Sequence, residues 1–207
     1  MAVTGLLLYL FVIAHLLGNL QIFAGPDKLN GYALMLKNLG PMLWFARIGL
    51  AAIFVLHVVT AIRLTRANRA ARPVGYAASA SGMKKTSFAA RTAILSGALL
   101  LAFVVLHLQT FKYGTVYTTT VDGVEMRDIY SLVIEKFQEP GYVAWYLLSL
   151  AILGMHLAHG VKASFQSLGL FASNHPLLAR IGLGFAILVA GGFITQPLAV
   201  FFFGLGG

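Results

Sequence analysis

Four histidines fall inside long apolar stretches of the sequence, one in each of four different stretches: His15, His57, His107 and His156. An imidazole can ligate a metal, relay a proton, or donate and accept hydrogen bonds. In hydrocarbon such a polar group is costly, and it usually marks a function or a paired partner. Taken singly, each histidine is explained as well by a hydrogen bond between helices or a proton relay as by a ligand role. The set is more informative than its members.

The stretches that carry these histidines predict membrane-spanning helices. The chain has 207 residues, 59% of them apolar and 10% charged, with a mean hydropathy of +0.84. A soluble domain is roughly 25% charged, so the composition excludes a soluble enzyme and a disordered tail. The absence of cysteine excludes a disulfide scaffold. We expect a single all-α membrane domain over residues 1–207 with five spans, at about 3–23, 41–65, 92–113, 142–166 and 178–203.

The charges between the stretches predict the orientation in a cell inner (cytoplasmic) membrane. Residues 63–91 contain seven bases and no acid, and residues 162–180 contain two bases and no acid. All six acids lie in the other two connections, where six bases balance them. By the positive-inside rule the N-terminus is cytoplasmic and the C-terminus outside. The first stretch lacks the basic region and cleavage site of a signal peptide, so we expect it to be retained as a span.

The same charge pattern argues against nucleic-acid binding, despite a net charge of +9. A nucleic-acid surface interleaves basic residues with aromatic ones. Here the bases lie between apolar stretches, where they would set the orientation of the spans. We therefore expect membrane lipid, and no nucleic acid, around this chain.

The predicted orientation places the four histidines at two depths. His15 and His107 fall in the outer half of the membrane, and His57 and His156 fall in the inner half. Two opposed imidazoles from different helices at one depth suit bis-histidine ligation of haem iron. A proton relay would be expected to include buried acids, and the five stretches contain no Asp or Glu. The pattern favours two haems, one near each membrane face, over a relay or structural histidines.

Neighbouring residues leave alternatives open. His159 follows His156 by three residues on nearly the same helix face, so it could be the ligand instead or hydrogen-bond to a haem propionate. His175 is interpreted as a loop residue. Glycines on the same spans either allow close helix packing or leave room for a porphyrin: Gly18, Gly49, Gly97, Gly154 and Gly160.

Several segments around the histidines are longer and more specific. They are HLLGNLQIF at 15–23, GPDKLNGY at 25–32, LGPMLWFAR at 39–47, LTRANRAARPVGY at 64–76 and HLAHGVKASFQSLG at 156–169. With them the chain resembles, over essentially its whole length, the membrane-anchor cytochrome b subunit of succinate dehydrogenase. The form it resembles is the single-subunit, five-helix, di-haem anchor related to those of fumarate reductases.

The resemblance implies a cofactor and ligand set. The family's four axial histidines match His15 with His107 for the outer haem b, and His57 with His156 for the inner one. In related anchors the leading histidine of the fourth-span pair binds iron, with a glycine four residues later, which favours His156 over His159. Some di-haem fumarate reductases carry a glutamate just before that histidine for proton movement. Here the residues are Leu153, Gly154 and Met155, so that path is not expected.

The resemblance also implies partners. A flavoprotein (FAD) subunit and an iron–sulfur subunit would dock on the cytoplasmic face and oxidise succinate, as in respiratory complex II of the tricarboxylic acid cycle. Electrons would pass through the two haems to a membrane quinone, menaquinone in di-haem members. The chain has no cysteine for a cluster and no nucleotide-binding glycine motif, so it would not act on succinate by itself. Family members commonly have a short basic stretch before the first span, which this sequence does not show.

Polar residues near the span ends are further candidates. Arg47 and Arg91 could bind a haem propionate or a quinone carbonyl through charge-assisted hydrogen bonds, or extend to the membrane interface. Asn19 and Gln21, beyond His15, could line an outer quinone pocket or simply end the helix.

Two other functions compete with the anchor. One is a di-haem cytochrome b serving a hydrogenase or a formate dehydrogenase. The other is a haem-free transporter in which the histidines form a proton or substrate path. A transporter would be expected to show an internal repeat, and only the short likeness between the frames of His57 and His156 suggests one.

Overall fold

A computed structural model describes residues 1–71, 88–170 and 176–206 of the chain. In that part of the chain the fold is mostly helical, in agreement with the all-α prediction, with one small β-hairpin. The elements are α1 (Ala2–Asn19), a 3-10 helix (Leu20–Ala24), α2 (Pro26–Asn38), α3 (Pro41–Ala70), α4 (Phe88–Arg91), α5 (Ala93–Phe111), β1 (Thr118–Val121), β2 (Val124–Arg127), α6 (Ile129–Gln138), α7 (Pro140–Ser167) and α8 (Pro176–Phe203).

Five of these helices are long and apolar enough to cross a membrane, which confirms the predicted five spans. They are α1 with its 3-10 extension, α3, α5, α7 and α8. Their ends agree with the sequence prediction within a few residues. The largest difference is α3, which continues to Ala70. Residues 64–70 are polar but rich in Ala, Leu and Arg, which are strong helix formers, so the helix persists beyond the apolar stretch.

Small residues set the closest contact in the bundle, between the antiparallel helices α7 and α8. A Cβ added at Gly182 would lie 2.5 Å from the Ala158 carbonyl oxygen, and one at Gly154 would lie 3.4 Å from the Ala190 Cβ. Membrane helices associate through such close backbone approach because water supplies no hydrophobic force between them there. The α7–α8 pair is therefore the tightest interface of the fold.

The spans run between two ends of the bundle. The end holding Met1, the last turn of α3 and α4 is called the N-terminal face below. The opposite end, holding α2, the β-hairpin and α6, is called the hairpin face. A cluster of buried side chains fills the hairpin face: Ile22, Leu29, Val133, Ile134, Phe137, Val143, Tyr146 and Val200. By contrast, α3 has no fully buried residue, so it lies at the edge of the bundle.

The hairpin-face elements between the spans were not predicted. The hairpin turn is made by Asp122 and Gly123, which both have positive φ (51° and 77°), as a two-residue turn with matching twist requires. The helix α6 starts where the Asp128 side chain accepts a hydrogen bond from the Ser131 N–H at 3.0 Å. These segments are short and polar, so hydropathy gives no signal for them.

Candidate functional site

The imidazole rings of His15 on α1 and His107 on α5 lie side by side. Their centroids are 5.8 Å apart and their planes are nearly perpendicular, at 88°. Each histidine lies four residues before the end of its helix, at Asn19 and Phe111, on the hairpin-face side. An imidazole nitrogen binds a first-row metal ion at about 2.0–2.1 Å, so rings on opposite sides of one metal would have centroids about 6 Å apart. The spacing of this pair fits that value.

Aromatic rings surround the His15–His107 pair. Phe11 stacks on His15 at 5.4 Å, and Phe193 of α8 lies 5.7 Å from the same ring. Phe103 and Phe111 lie 5.8 Å and 5.2 Å from His107. The pair is therefore enclosed by apolar groups, which is the environment that tunes a buried haem.

Each of these two rings also has a polar neighbour. Nδ1 of His107 is 2.8 Å from the hydroxyl of Tyr146 on α7. The Asn19 amide Nδ2 lies 3.3 Å from His15 Nδ1 and donates to the His15 carbonyl oxygen at 2.7 Å. Asn19, one of the predicted polar residues beyond His15, is thus part of the surroundings of this histidine.

The other two histidines also bond to hydroxyl groups on neighbouring helices. Nδ1 of His57 on α3 is 3.1 Å from Thr4 Oγ1 on α1. Nδ1 of His156 on α7 is 2.9 Å from Ser96 Oγ on α5. Both hydroxyls lie in the first turn of helices that start towards the N-terminal face. The two histidines are half-buried.

The predicted pairs differ in how close their rings are. His15 and His107, the predicted outer pair, are in ring contact. Among the residues that the structure describes, no ring contact joins His57 to His156. His57 is bonded to α1 and His156 to α5 instead. Both haem pairings stay predictions. For the inner pair, the two hydroxyl partners come from the same end of the bundle.

The arrangement of ring nitrogens fits metal ligation in three of the four histidines, whereas at His15 the Asn19 amide lies 3.3 Å from Nδ1 and 3.4 Å from Nε2. In His57, His107 and His156 a hydroxyl group contacts Nδ1, and no hydrogen bond within the described part of the chain uses Nε2. Ligating histidines ordinarily hold the other ring nitrogen in this way. No group of three or more His, Asp or Glu side chains within the described ranges could hold a bare metal ion. Paired imidazoles suit haem, whose porphyrin supplies the remaining ligands.

Four of the glycines identified in the sequence either face a histidine or allow close helix packing. A Cβ at Gly97 would lie 3.6 Å from Cε1 of His156, so this glycine faces the imidazole. Gly160 is filled by the Tyr9 ring, Gly18 by the Tyr32 ring, and Gly154 by Ala190. These three serve helix packing.

The two arginines lie apart from the histidines. The Arg47 guanidinium is 5.4 Å from the Trp44 ring centroid, beside an open apolar groove of about 520 Å³ lined also by Gly40, Pro41, Phe45 and Ile48. Arg91 ends α4 and is exposed. Lys112 lies nearby at the hairpin face. Partial desolvation, together with the positive charges of Arg47 and Arg127, lowers the pKa of Lys112. No interaction with the four histidines within the described residues involves Arg47 or Arg91.

Two buried donors near the His15–His107 pair were missed by sequence reasoning. Gln196 is 5% exposed and its Nε2 has no hydrogen-bond partner in the described part of the chain. It follows Phe193, the neighbour of His15, by three residues. The indole N–H of Trp145 is likewise buried without a described partner, and its ring lies 6.5 Å from that of Phe103. Such donors could serve a ligand that accepts hydrogen bonds, such as a carbonyl oxygen.

The partners of the histidines were also missed, because a lone Thr, Ser or Tyr in an apolar stretch has no distinguishing sequence signal. His159 has no hydrogen bond to a described residue, whereas His156 has Ser96, which favours His156 as the functional residue. His175 and part of the basic 63–91 connection (Arg72, Lys84 and Lys85) lie outside the described residues.

Comparison with known proteins returned no relative: no family model, no curated protein and no solved structure matches this chain. The fold, a bundle with five helices able to span a membrane, therefore stands on the structure.

Proposed function

We propose that this chain is the di-haem cytochrome b membrane anchor of a succinate:quinone oxidoreductase. The observation that carries the proposal is the contact between His15 and His107, at 5.8 Å between two apolar spans. Two imidazoles at the spacing for one metal, enclosed by aromatic rings, suit bis-histidine ligation of a buried haem. The segments that resemble the succinate dehydrogenase anchor support the choice of complex.

In this proposal four histidines hold two b haems. His15 and His107 would hold one, and His57 and His156 the other. When bound, each haem supplies a one-electron carrier. The chain's own residues orient and insulate these sites: Thr4, Ser96 and Tyr146 contact Nδ1 of three of the histidines, and Phe11, Phe103 and Phe193 surround the first pair.

The proposed partners follow from charge and composition. The N-terminal face carries Arg63, Arg66, Arg69, Arg91 and Lys162, so we place it in the cytoplasm. The flavoprotein and the iron–sulfur subunit would dock there, since this chain has no cysteine with which to bind a cluster. The acceptor would be a membrane quinone such as menaquinone, and the buried donors Gln196 and Trp145 suit its carbonyl oxygens.

One observation favours the haem-free alternative. The Tyr142 hydroxyl donates to that of Tyr146 at 3.5 Å, and Tyr146 contacts His107 at 2.8 Å, so a chain of polar groups leads from the outer pair towards the hairpin face. In a transporter this chain would carry protons. The two functions differ in whether the protein binds haem.

The test is a quantitative pyridine-haemochrome and reduced-minus-oxidised spectrum of the purified full chain. We expect two non-covalent b haems per chain. One haem per chain would show that one of the proposed histidine pairs does not bind haem. A well-folded protein without haem would overturn the proposal and favour the transporter. In membranes that hold the whole complex, succinate should reduce the haems. Reduction by hydrogen or formate instead would assign the chain to another dehydrogenase.

A further inference from the structure

We propose that Thr4 and Ser96 are positioning residues that set the tautomer of His57 and His156, so that Nε2 of each is the metal-binding nitrogen. The inference rests on the proposed function only in naming the metal. The tautomer itself is a property of the chain and can be measured without haem.

At His57 the partner is a hydroxyl group, which has a single proton to donate. Thr4 Oγ1 lies 2.9 Å from the Met1 carbonyl oxygen. A carbonyl oxygen can only accept a hydrogen bond, so the Thr4 hydroxyl donates its proton to the Met1 carbonyl oxygen. The same Thr4 oxygen lies 3.1 Å from His57 Nδ1, and in this second contact it has only lone pairs to offer. The imidazole must therefore be the donor, through Nδ1–H.

The same arrangement recurs at His156. Ser96 Oγ donates to the Ala93 carbonyl oxygen at 3.0 Å and lies 2.9 Å from His156 Nδ1. Each hydroxyl bonds back to the residue three positions earlier, in the first turn of its own helix, and presents lone pairs to a histidine on a neighbouring helix. Two independent copies of one geometry indicate a shared role.

The consequence concerns the other nitrogen. A neutral imidazole carries one N–H, and a charged imidazolium is costly within a membrane span. With the proton on Nδ1, the Nε2 lone pair is free, and no hydrogen bond in the described ranges engages it. Both histidines are thus set to ligate through Nε2 before any cofactor arrives.

His107 lacks this constraint. Its hydroxyl partner, Tyr146, accepts a hydrogen bond from Tyr142, and no described carbonyl takes the Tyr146 proton. Tyr146 can therefore donate to Nδ1 or accept from it. The structure assigns a fixed tautomer to the N-terminal-face histidines and a switchable one to His107.

The first test uses the haem-free full chain labelled with [15N]histidine, made in haem-depleted cells and studied in detergent by 15N–1H correlation NMR of the ring nitrogens. His57→Gln and His156→Gln assign the signals. We expect the Nδ1–H pattern for both histidines. Thr4→Val should abolish it for His57 alone, and Ser96→Ala for His156 alone, while Ser96→Thr should keep it.

Matched controls come from hydroxyls that bond to their own helix and to no histidine ring. Thr195 donates to the Gly192 carbonyl oxygen at 2.7 Å, and buried Ser149 donates to the Trp145 carbonyl oxygen at 2.8 Å. Thr195→Val and Ser149→Ala should leave both tautomers unchanged. An Nε2–H pattern in the unmodified chain would overturn the inference. Unchanged tautomers in Thr4→Val and Ser96→Ala would also overturn it.

A second test uses the haem-loaded protein and does not depend on the haem-free form folding. Loss of an outer hydrogen bond to a ligating imidazole typically weakens metal binding 10- to 100-fold, so Ser96→Ala should weaken binding of one haem by about that factor. It should also raise the reduction potential of that haem, because the imidazole becomes a poorer donor. Ser96→Thr should restore both values. Unchanged affinity and potential in Ser96→Ala would contradict the inference.

The two proposals fail in distinguishable ways. Nδ1–H histidines in a protein that takes up no haem would overturn the proposed function and leave the tautomer assignment standing. Two bound haems in a chain whose haem-free His57 and His156 show Nε2–H would do the reverse.

Discussion

Asn30 and Asp128 are 98 residues apart in the chain, and the Asn30 amide donates to the Asp128 carboxylate at 2.9 Å. The same amide accepts from the Tyr130 N–H at 3.0 Å, and Asn30 is 1% exposed. One buried side chain therefore joins α2 to the start of α6. Neither helix spans the membrane, so this bond organises the hairpin face.

Replacing Asn30 should destabilise that face. In Asn30→Leu, the Tyr130 N–H loses its partner and Asp128 Oδ1 keeps only the Ser131 N–H. An unsatisfied buried polar group costs about 1–3 kcal/mol. Thermal unfolding in detergent should show the loss. Lys37→Leu, at an exposed position on the same helix, is the control and should change little. Equal stability of both variants would show that the Asn30 bonds contribute nothing.

The stability of the hairpin face should also depend on acid pH. Burial raises the pKa of Asp128, but hydrogen bonds from Ser131, Asn30 and Tyr130 outweigh it, so the pKa lies below its ordinary value. A lowered pKa adds stability above the unfolded-state value of about 3.9, and that stability disappears as pH falls through the folded-state pKa. Unfolding measured from pH 6 to pH 2 should show the drop, on the order of pH 4 and below. Asp128→Asn should flatten this part of the profile, and a profile unchanged by the substitution would contradict the assignment.

Variants of the outer pair should remove the same haem. Because His15 and His107 would ligate one iron, His15→Ala and His107→Ala should each give one haem per chain with the same remaining spectrum. The double variant should also keep one haem per chain. His159→Ala should keep both haems. Different remaining haems in the two single variants would mean that these histidines serve different sites.

A side chain at Gly182 should clash at the α7–α8 interface. The Ala158 carbonyl oxygen is backbone and cannot move aside, so Gly182→Ala should destabilise the bundle by about 1–3 kcal/mol. Gly184, on the same helix, has no neighbouring atom within 4 Å of an added Cβ. Gly184→Ala should therefore be neutral or slightly stabilising, as glycine is a poor helix former. Unfolding of the two variants side by side would decide the point.

Gln196 should matter for quinone and not for folding. Its buried Nε2 has no described partner, so Gln196→Leu should leave stability unchanged or raise it. If that donor binds a quinone carbonyl, kcat/KM for quinone should fall by about 2- to 10-fold, the equivalent of one neutral hydrogen bond. Haem content should stay the same. Full quinone activity in this variant would remove Gln196 from the site.

The spans and their histidines could be predicted because continuous apolar stretches and isolated polar residues are local features of a sequence. The hairpin face could not, since α2 and α6 are held by contacts such as Asn30 with Asp128, which join distant parts of the chain. The same limit applies to Thr4, Ser96 and Tyr146. Their importance comes from a ring on another helix, and nothing in their own neighbourhood marks it.

The bond between Asn30 and Asp128 also orders the assembly of the protein in the membrane. The spans α3 and α5 lie between these residues in the chain, so the bond can form only after both have been inserted. A further contact forms after α8, where Gly206 lies beside Ile134. Closure of the hairpin face therefore follows the insertion of α3, α5 and α8.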